Sequence, residues 1–232
     1  MRAAHWKPHN WLFFRIVDPE IAAMLRAYAR GRLADIGCGA KPYAGLSRGL
    51  VDAHVGIDRP GSRHGRAGID LGGDAQALPV EDASFRTILC TDVLEHLPEP
   101  GAAIAEAWRI LEPGGYAIYT VPLHWHLHEE PRDFYRFTRH GLRHLFEKHG
   151  FEVVELRALT GFVATFAQAL VYWLHEHRGS RRNPLHWLVP WLSHAIQAAA
   201  LLANRIDRSE KFTAEYIAVV RKPAAATLGL PA

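Results

Sequence analysis

Histidines and acids crowd one segment of this 232-residue chain. In PLHWHLHEEPRDFYRFT, residues 122–138, His124, His126 and His128 alternate, and Glu129, Glu130 and Asp133 follow closely. Alternate residues of an extended chain share a face, so three imidazoles can line one wall of a pocket. Histidine has the unperturbed pKa nearest neutrality, which suits it to taking a proton from a reacting hydroxyl. The same donors would also suit a metal ion. The favoured reading is that hydrogen bonds among them brace the loop while one imidazole serves a substrate, and no metal is expected. His96, in LEHL, is a further candidate for contact with a substrate, with packing the favoured alternative.

A second constellation points to a nucleotide-like ligand. In LADIGCGAKPY, Asp35 stands at a strand end and Gly37 and Gly39 form a tight turn, where missing Cβ atoms let a ligand approach the backbone. Asp58 closes the next strand about 20 residues on, where a carboxylate can accept hydrogen bonds from both ribose hydroxyls. GDAQALP, residues 73–79, then supplies Asp74 as an acceptor for an exocyclic adenine amine. A lone GxG turn is weak; three such motifs in order are not.

Short apolar runs would position these groups: LADI at 33–36, HVGID at 54–58, RTILCT at 86–91 and YAIYTV at 116–121 read as buried parallel strands. Ile21, Leu25 and Tyr28 predict a helix over 19–30 that Gly31 stops. Ile104, Ala107, Trp108 and Leu111 predict another that Pro113, Gly114 and Gly115 end. Thr138 is the expected cap of a helix carrying Leu142, Leu145, Phe146 and His149, followed by the strand FEVVELR. AEYIAVVRK at 214–222 is a last strand, and the tail from Pro223 has too few large apolar residues to pack. The link from Asp58 to Leu71 is short for a crossover helix, so an irregular connection is expected.

These pieces, DIGCG, VGID, GDAQALP, TDVLEHLPEP and RILEPGG before YAIYTVP, resemble the class I S-adenosylmethionine-dependent methyltransferases of the type 11, UbiE-like kind. The resemblance covers about Leu33 to Leu156 and the strand at 215–220. It implies a Rossmann-like α/β fold: a doubly wound, mostly parallel seven-stranded sheet with helices on both faces and a C-terminal helical insertion before the last strand. It further implies S-adenosylmethionine as cofactor, with Asp35, Gly37, Cys38 and Gly39 at its methionine end, Asp58 at the ribose, Asp74 and Ala75 at the adenine, and Thr91 at the amino-acid moiety. HxEEPRDFYRFT resembles a loop of many family members, implying a structural or acceptor-facing job for His128, Asp133 and Arg136. His128 is taken as the base, with His96 and Arg136 as further catalytic candidates; an ion pair between Asp133 and Arg136 that fixes the loop is the alternative. Two departures from the family pattern, AKPY after Gly39 and Arg86 in place of an aspartate, would reshape the pocket.

Methyl transfer needs alignment and exclusion of water more than acid or base chemistry. No Asn- or Asp-Pro-Pro-Tyr motif is present, so a small-molecule oxygen acceptor is favoured over an amine. A dinucleotide-dependent oxidoreductase is the rival for the glycine motif, but Pro42 fills the position that GxGxxG keeps small. A non-catalytic cofactor-binding relative, acting as a membrane-associated or scaffolding protein, is the rival from another class.

The composition, 49% hydrophobic with 22% charged residues, suits one globular domain over 1–232, which the resemblance makes a methyltransferase domain, with an N-terminal helical segment over 1–31. A formal charge of +3 without a nucleic-acid-binding motif argues against a nucleic-acid partner, the run Arg178, Arg181 and Arg182 reading as a solvated turn. Two cysteines without paired spacing suit a reducing cytoplasm. The opening MRAAHWKPHNWLFF lacks the pattern of a secretory signal. Residues 160–205 read as a helical pair: a lid over a hydrophobic acceptor, a peripheral contact with the inner face of a membrane, or a homodimer contact, with the lid favoured.

Overall fold

The structure is a computed structural model that describes residues 8–61, 67–180, 182, 184–207 and 209–224. Expectations for residues 1–7, for Arg181 and for the tail beyond residue 224 lie outside the described residues. Seven strands, β1 (Arg32–Ile36), β2 (Ala53–Asp58), β3 (Leu71–Gly72), β4 (Phe85–Thr91), β5 (Leu111–Pro122), β6 (Glu152–Ala158) and β7 (Glu215–Arg221), form one sheet ordered β3-β2-β1-β4-β5-β7-β6. Every pair is parallel except those made by β7, which runs antiparallel to β5 and β6. The order reverses between β1 and β4, which opens a crevice at their carboxyl ends.

Side-chain alternation divides the core into two layers. Ala34, Ile36, Ile88, Cys90, Ala117 and Tyr119 face one side, where α3 (Pro100–Ile110) adds Ile104 and Ala107, and α4 (Arg139–Lys148) adds Leu142 and Phe146. Leu33, Leu89, Ile118, Ile217 and Val219 face the other, against Val17, Ile21 and Leu25 of α1 (Trp11–Tyr28). Both faces are covered, which is why the strands read as continuous apolar runs. A four-residue turn of helix, α2 (Ala44–Ser47), precedes β2.

Several boundaries depart from the sequence reading. Helix α1 begins at Trp11, eight residues before the expected start, and carries Pro19 inside it. Its apolar face continues through Leu12, Phe13 and Val17, and burial of that face outweighs the donor that the proline removes. Helix α3 stops at Ile110; Pro113, Gly114 and Gly115 lie within β5, where the register to β4 shifts between Phe85 and Thr87. A Cβ on Gly115 would stand 2.8 Å from the Arg86 carbonyl oxygen, so glycine is what lets β5 pass close to β4. Arg86 donates to the Pro113 carbonyl (2.9 Å) at this end of β4, so it braces the bulge rather than shaping the crevice, which Thr91 lines at the other end of the same strand. Thr138 caps α4 as expected, its hydroxyl accepting from Gly141 N (3.1 Å), and the half-buried His149, whose ring lies beside Gly101, is the C-cap.

The helical pair expected over 160–205 is α5 (Phe162–His177) and α6 (Pro184–Ala203). Both hold the start of the described chain: Gln197 accepts from Leu12 N (2.9 Å) and donates to the Pro8 carbonyl (3.1 Å), and Gln168 donates to the His9 carbonyl (2.7 Å). No helix among the described residues is long and apolar enough to cross a membrane.

Candidate active site

A cavity of about 1080 Å³ fills the crevice. Its first half is the loop after β1. Gly37 (φ +69°) and Gly39 (φ +51°) adopt the left-handed conformation that favours glycine, and a Cβ on Gly37 would run into Val93. Asp58, at the end of β2, holds this loop: Oδ2 accepts from Gly39 N (2.9 Å) and Oδ1 from Arg59 N (2.7 Å). Each oxygen keeps acceptor capacity for a further donor. Asp74 Oδ1 accepts from Gln76 N (2.9 Å), which fixes the turn that presents Asp74 and Ala75 to the cavity. Thr91 and Cys38 also line it. Burial pushes the Cys38 thiol up to about 12, so it stays protonated.

Asp35 does not reach the cavity. It is buried beneath the loop, its Oδ2 2.9 Å from His54 Nε2, and His54 Nδ1 is 2.7 Å from the Ser47 hydroxyl. Burial raises its pKa. This chain of bonds braces the glycine loop from below, and of the four residues expected at the methionine end only Gly37, Cys38 and Gly39 line the cavity.

The second half of the cavity belongs to the loop after β5. His126 and His128 line it with Trp125, and His96 joins them from the turn after β4. The His96 and His128 rings meet edge to face, with centroids 4.7 Å apart. His124 lies against Phe212 instead, at 6.2 Å, so the expected row of three imidazoles loses one member. Burial lowers the pKa of His96, His126 and His128, leaving the imidazoles neutral near pH 7. Arg136 lies outside the lining: it binds Asp133 through both carboxylate oxygens (2.6 and 2.7 Å) and the carbonyls of Trp125 (3.1 Å) and His126 (2.7 Å). Burial alone would raise Asp133, but the Arg136 bonds and the His128 N–H hold it at about 2. The ion pair fixes the loop that carries His128.

Three lining acids were not singled out from the sequence. Asp92, at φ +54°, accepts from the Thr120 hydroxyl (3.0 Å). Glu95 and Glu215 are wholly buried; among the described residues neither Glu95 oxygen has a hydrogen-bond partner, nor does Glu215 Oε1. Burial first, and the neighbouring Asp92 second, raise both pKa values well above the usual carboxylate range. An acid at the start of the apolar strand AEYIAVV is the signal that would have found Glu215. Phe13, Phe14 and Tyr172 complete an aromatic wall.

An open doubly wound sheet with a glycine loop and an acidic residue at successive strand ends defines a nucleotide-cofactor site. Comparison with known proteins narrows the class. A methyltransferase-domain family model matches residues 9–156, and the chain belongs to that family, whose S-adenosylmethionine-dependent members it follows in fold and motif order. It is 37% identical over 99 residues to the phthiotriol/phenolphthiotriol dimycocerosates methyltransferase 1 of Mycobacterium ulcerans, covering 38% of this chain and 36% of that one. It is 39% identical over 107 residues to the demethylmenaquinone methyltransferase of Renibacterium salmoninarum, covering 45% of each. The chain thus spans less than half the length of these curated relatives. Among solved structures, the Haemonchus contortus phosphoethanolamine N-methyltransferase 2, in complex with phosphomonomethylethanolamine and S-adenosylhomocysteine, shares the fold with a TM-score of 0.58 at 16% identity, over 93% of this chain and 57% of that one. The site fits the family's cofactor: a Cβ-free turn for close approach, and Asp58 acceptors beside it. Family membership selects S-adenosylmethionine over the nicotinamide dinucleotide alternative.

Proposed function

We propose that this protein transfers a methyl group from S-adenosylmethionine to an oxygen of a small, apolar or partly apolar acceptor. One observation carries the reading: a single cavity joins the Gly37–Gly39 turn and Asp58 to His96 and His128 under a wall of Phe13, Phe14, Trp125 and Tyr172. The cofactor, when bound, supplies a methyl group already activated by its sulfonium. Asp58, Asp74 and the loop amides hold and orient it, Asp58 receiving the ribose hydroxyls. The aromatic wall takes the acceptor and excludes water. His128, with His96 beside it, draws the proton from the acceptor oxygen; both imidazoles are neutral and have a lone pair to offer.

Helix α5 acts as a lid, since Tyr172 contributes to the wall and α5 and α6 grip the segment that carries Phe13 and Phe14. The acceptors named for the two curated relatives, dimycocerosates and demethylmenaquinone, support an apolar acceptor here. A cytoplasmic enzyme is the corresponding location, and Trp187, Leu188 and Trp191, exposed on α6, favour a peripheral position at a membrane face. The test is turnover with a panel of hydroxylated apolar acceptors and radiolabelled methyl donor. Label appearing as methyl ether supports the reading; label confined to amines contradicts the oxygen assignment.

A further inference from the structure

We propose that Glu95, His96 and His128 form a site for a divalent transition-metal cation at the acceptor end of the cavity. One donor atom from each lies within 4.8 Å of the other two. Glu95 is wholly buried and among the described residues neither of its side-chain oxygens has a hydrogen-bond partner, although its backbone carbonyl accepts from Phe134 N (2.8 Å) and Tyr135 N (3.3 Å). A buried carboxyl group whose oxygens lack partners is costly even as the neutral acid that its burial favours; a bound cation would displace that proton to solvent and satisfy the oxygens.

The imidazoles present the right nitrogens. His96 Nδ1 lies 2.6 Å from the Arg132 carbonyl oxygen, which can only accept, so Nδ1 carries the proton and Nε2 the lone pair. That Nε2 is 3.8 Å from Glu95 Oε1. His128 Nδ1 lies between two further acceptors, the His126 carbonyl (3.3 Å) and Asp133 Oδ2 (3.4 Å). The Arg136 nitrogen 3.5 Å away already gives its hydrogens to the His126 carbonyl and Asp133 Oδ2, at 2.7 Å each, so His128 Nδ1 must also be the protonated nitrogen. An imidazole whose second nitrogen donates to a carbonyl or carboxylate is oriented as metal-ligating histidines are.

Two imidazoles and one carboxylate suit Zn²⁺, Co²⁺ or Ni²⁺ better than Mg²⁺ or Ca²⁺, which prefer all-oxygen shells. Bonds of about 2.1 Å place tetrahedral donors about 3.4 Å apart, so side-chain rotation of about 1 Å completes the set. Three protein donors leave a fourth position open to the cavity. What fills it rests on the methyl-transfer reading: the acceptor hydroxyl coordinates there and releases its proton to solvent at a lower pH than the free alcohol. With the ion bound, both imidazole lone pairs are engaged, so direct proton transfer to His128 belongs to the metal-free protein.

The test uses the full chain, stripped with a chelator and titrated calorimetrically with Zn²⁺, Ni²⁺ and Mg²⁺, with metal counted after dialysis. Wild type and the His124→Ala control should retain one tight equivalent of Zn²⁺ and ignore Mg²⁺. The isosteric Glu95→Gln, together with His96→Ala and His128→Ala, should bind about 100-fold more weakly. Visible spectra of the Co²⁺-loaded protein should lose their ligand-field bands in the same three variants. Equal binding by wild type and Glu95→Gln, or no retained equivalent in wild type, overturns the site. S-adenosylmethionine is titrated into the same stripped samples: cofactor binding without cation binding overturns the ion site and leaves methyl transfer standing, whereas failure to bind the cofactor overturns the methyl-transfer reading whatever the zinc does.

Discussion

Asp58 joins the two halves of the cofactor site, because the carboxylate that holds the glycine loop is also the one expected to receive the ribose. Asp58→Ala removes the acceptor for Gly39 N and Arg59 N, each a bond to a charged group. The expected loss is about 2 kcal/mol, roughly 30-fold in cofactor affinity, read by calorimetry. At the acceptor end the expectation differs: His128→Gln should lower kcat strongly while cofactor affinity stays at the wild-type value, because His128 stands beyond the glycine loop. Arg136→Ala leaves the Asp133 carboxylate buried without its cation. Thermal denaturation should show a loss of about 3 kcal/mol, and His128 should lose its orientation with it. That outcome would separate a positioning arginine from one that touches substrate, for which stability would hardly change.

Elements explain why these residues meet. The segment carrying Asp74 and Ala75 is tied to α3 by Glu106, which accepts from Leu78 N (2.7 Å) and from Arg109 (2.8 Å), while Arg109 also donates to the carbonyls of Leu78 (2.9 Å) and Val80 (2.8 Å). Arg109 first, and Leu78 N–H after it, hold the Glu106 carboxyl below its ordinary pKa. A depressed carboxyl contributes stability above its unfolded pKa and loses it as pH falls through the folded one. The stability advantage of wild type over Glu106→Gln should therefore shrink between about pH 6 and about pH 3, measured by urea denaturation across that range. Gln197→Ala leaves the buried Leu12 N–H without its acceptor. A loss of about 1–2 kcal/mol, with faster proteolysis at the start of α1, is the expected outcome.

The strands, the glycine loop and Asp58 were legible in the sequence because each depends on local pattern: apolar runs, glycines at a strand end, an acid at the next. The pattern predicts α1 eight residues too short because Pro19 reads locally as a helix's first residue, a signal that the apolar face of Leu12, Phe13 and Val17 overrides. Glu95 and Glu215 were missed for a related reason. Their meaning lies in burial and missing partners, and both arise only when β4, β5 and β7 are brought side by side. His124 shows the opposite limit, since alternation would align three imidazoles but the chain after β5 is not extended along its length.

At the scale of the whole molecule, the sheet's reversal between β1 and β4 makes the crevice, and Tyr172 of α5 joins its lining. The outer face of that pair is apolar: Trp187, Leu188 and Trp191 are more than half exposed. Trp187→Ser with Trp191→Ser should abolish flotation with anionic vesicles while leaving cofactor affinity unchanged, because neither tryptophan lines the cavity. Calorimetric titration of the purified chain with S-adenosylmethionine, S-adenosylhomocysteine and NAD, beside the Asp58→Ala variant, decides whether the crevice holds this cofactor. Saturable one-to-one binding of the first two, none of NAD, and a roughly 30-fold weakening in the variant is the expected result; binding of NAD alone, of none of the three, or with equal affinity in the variant would contradict it.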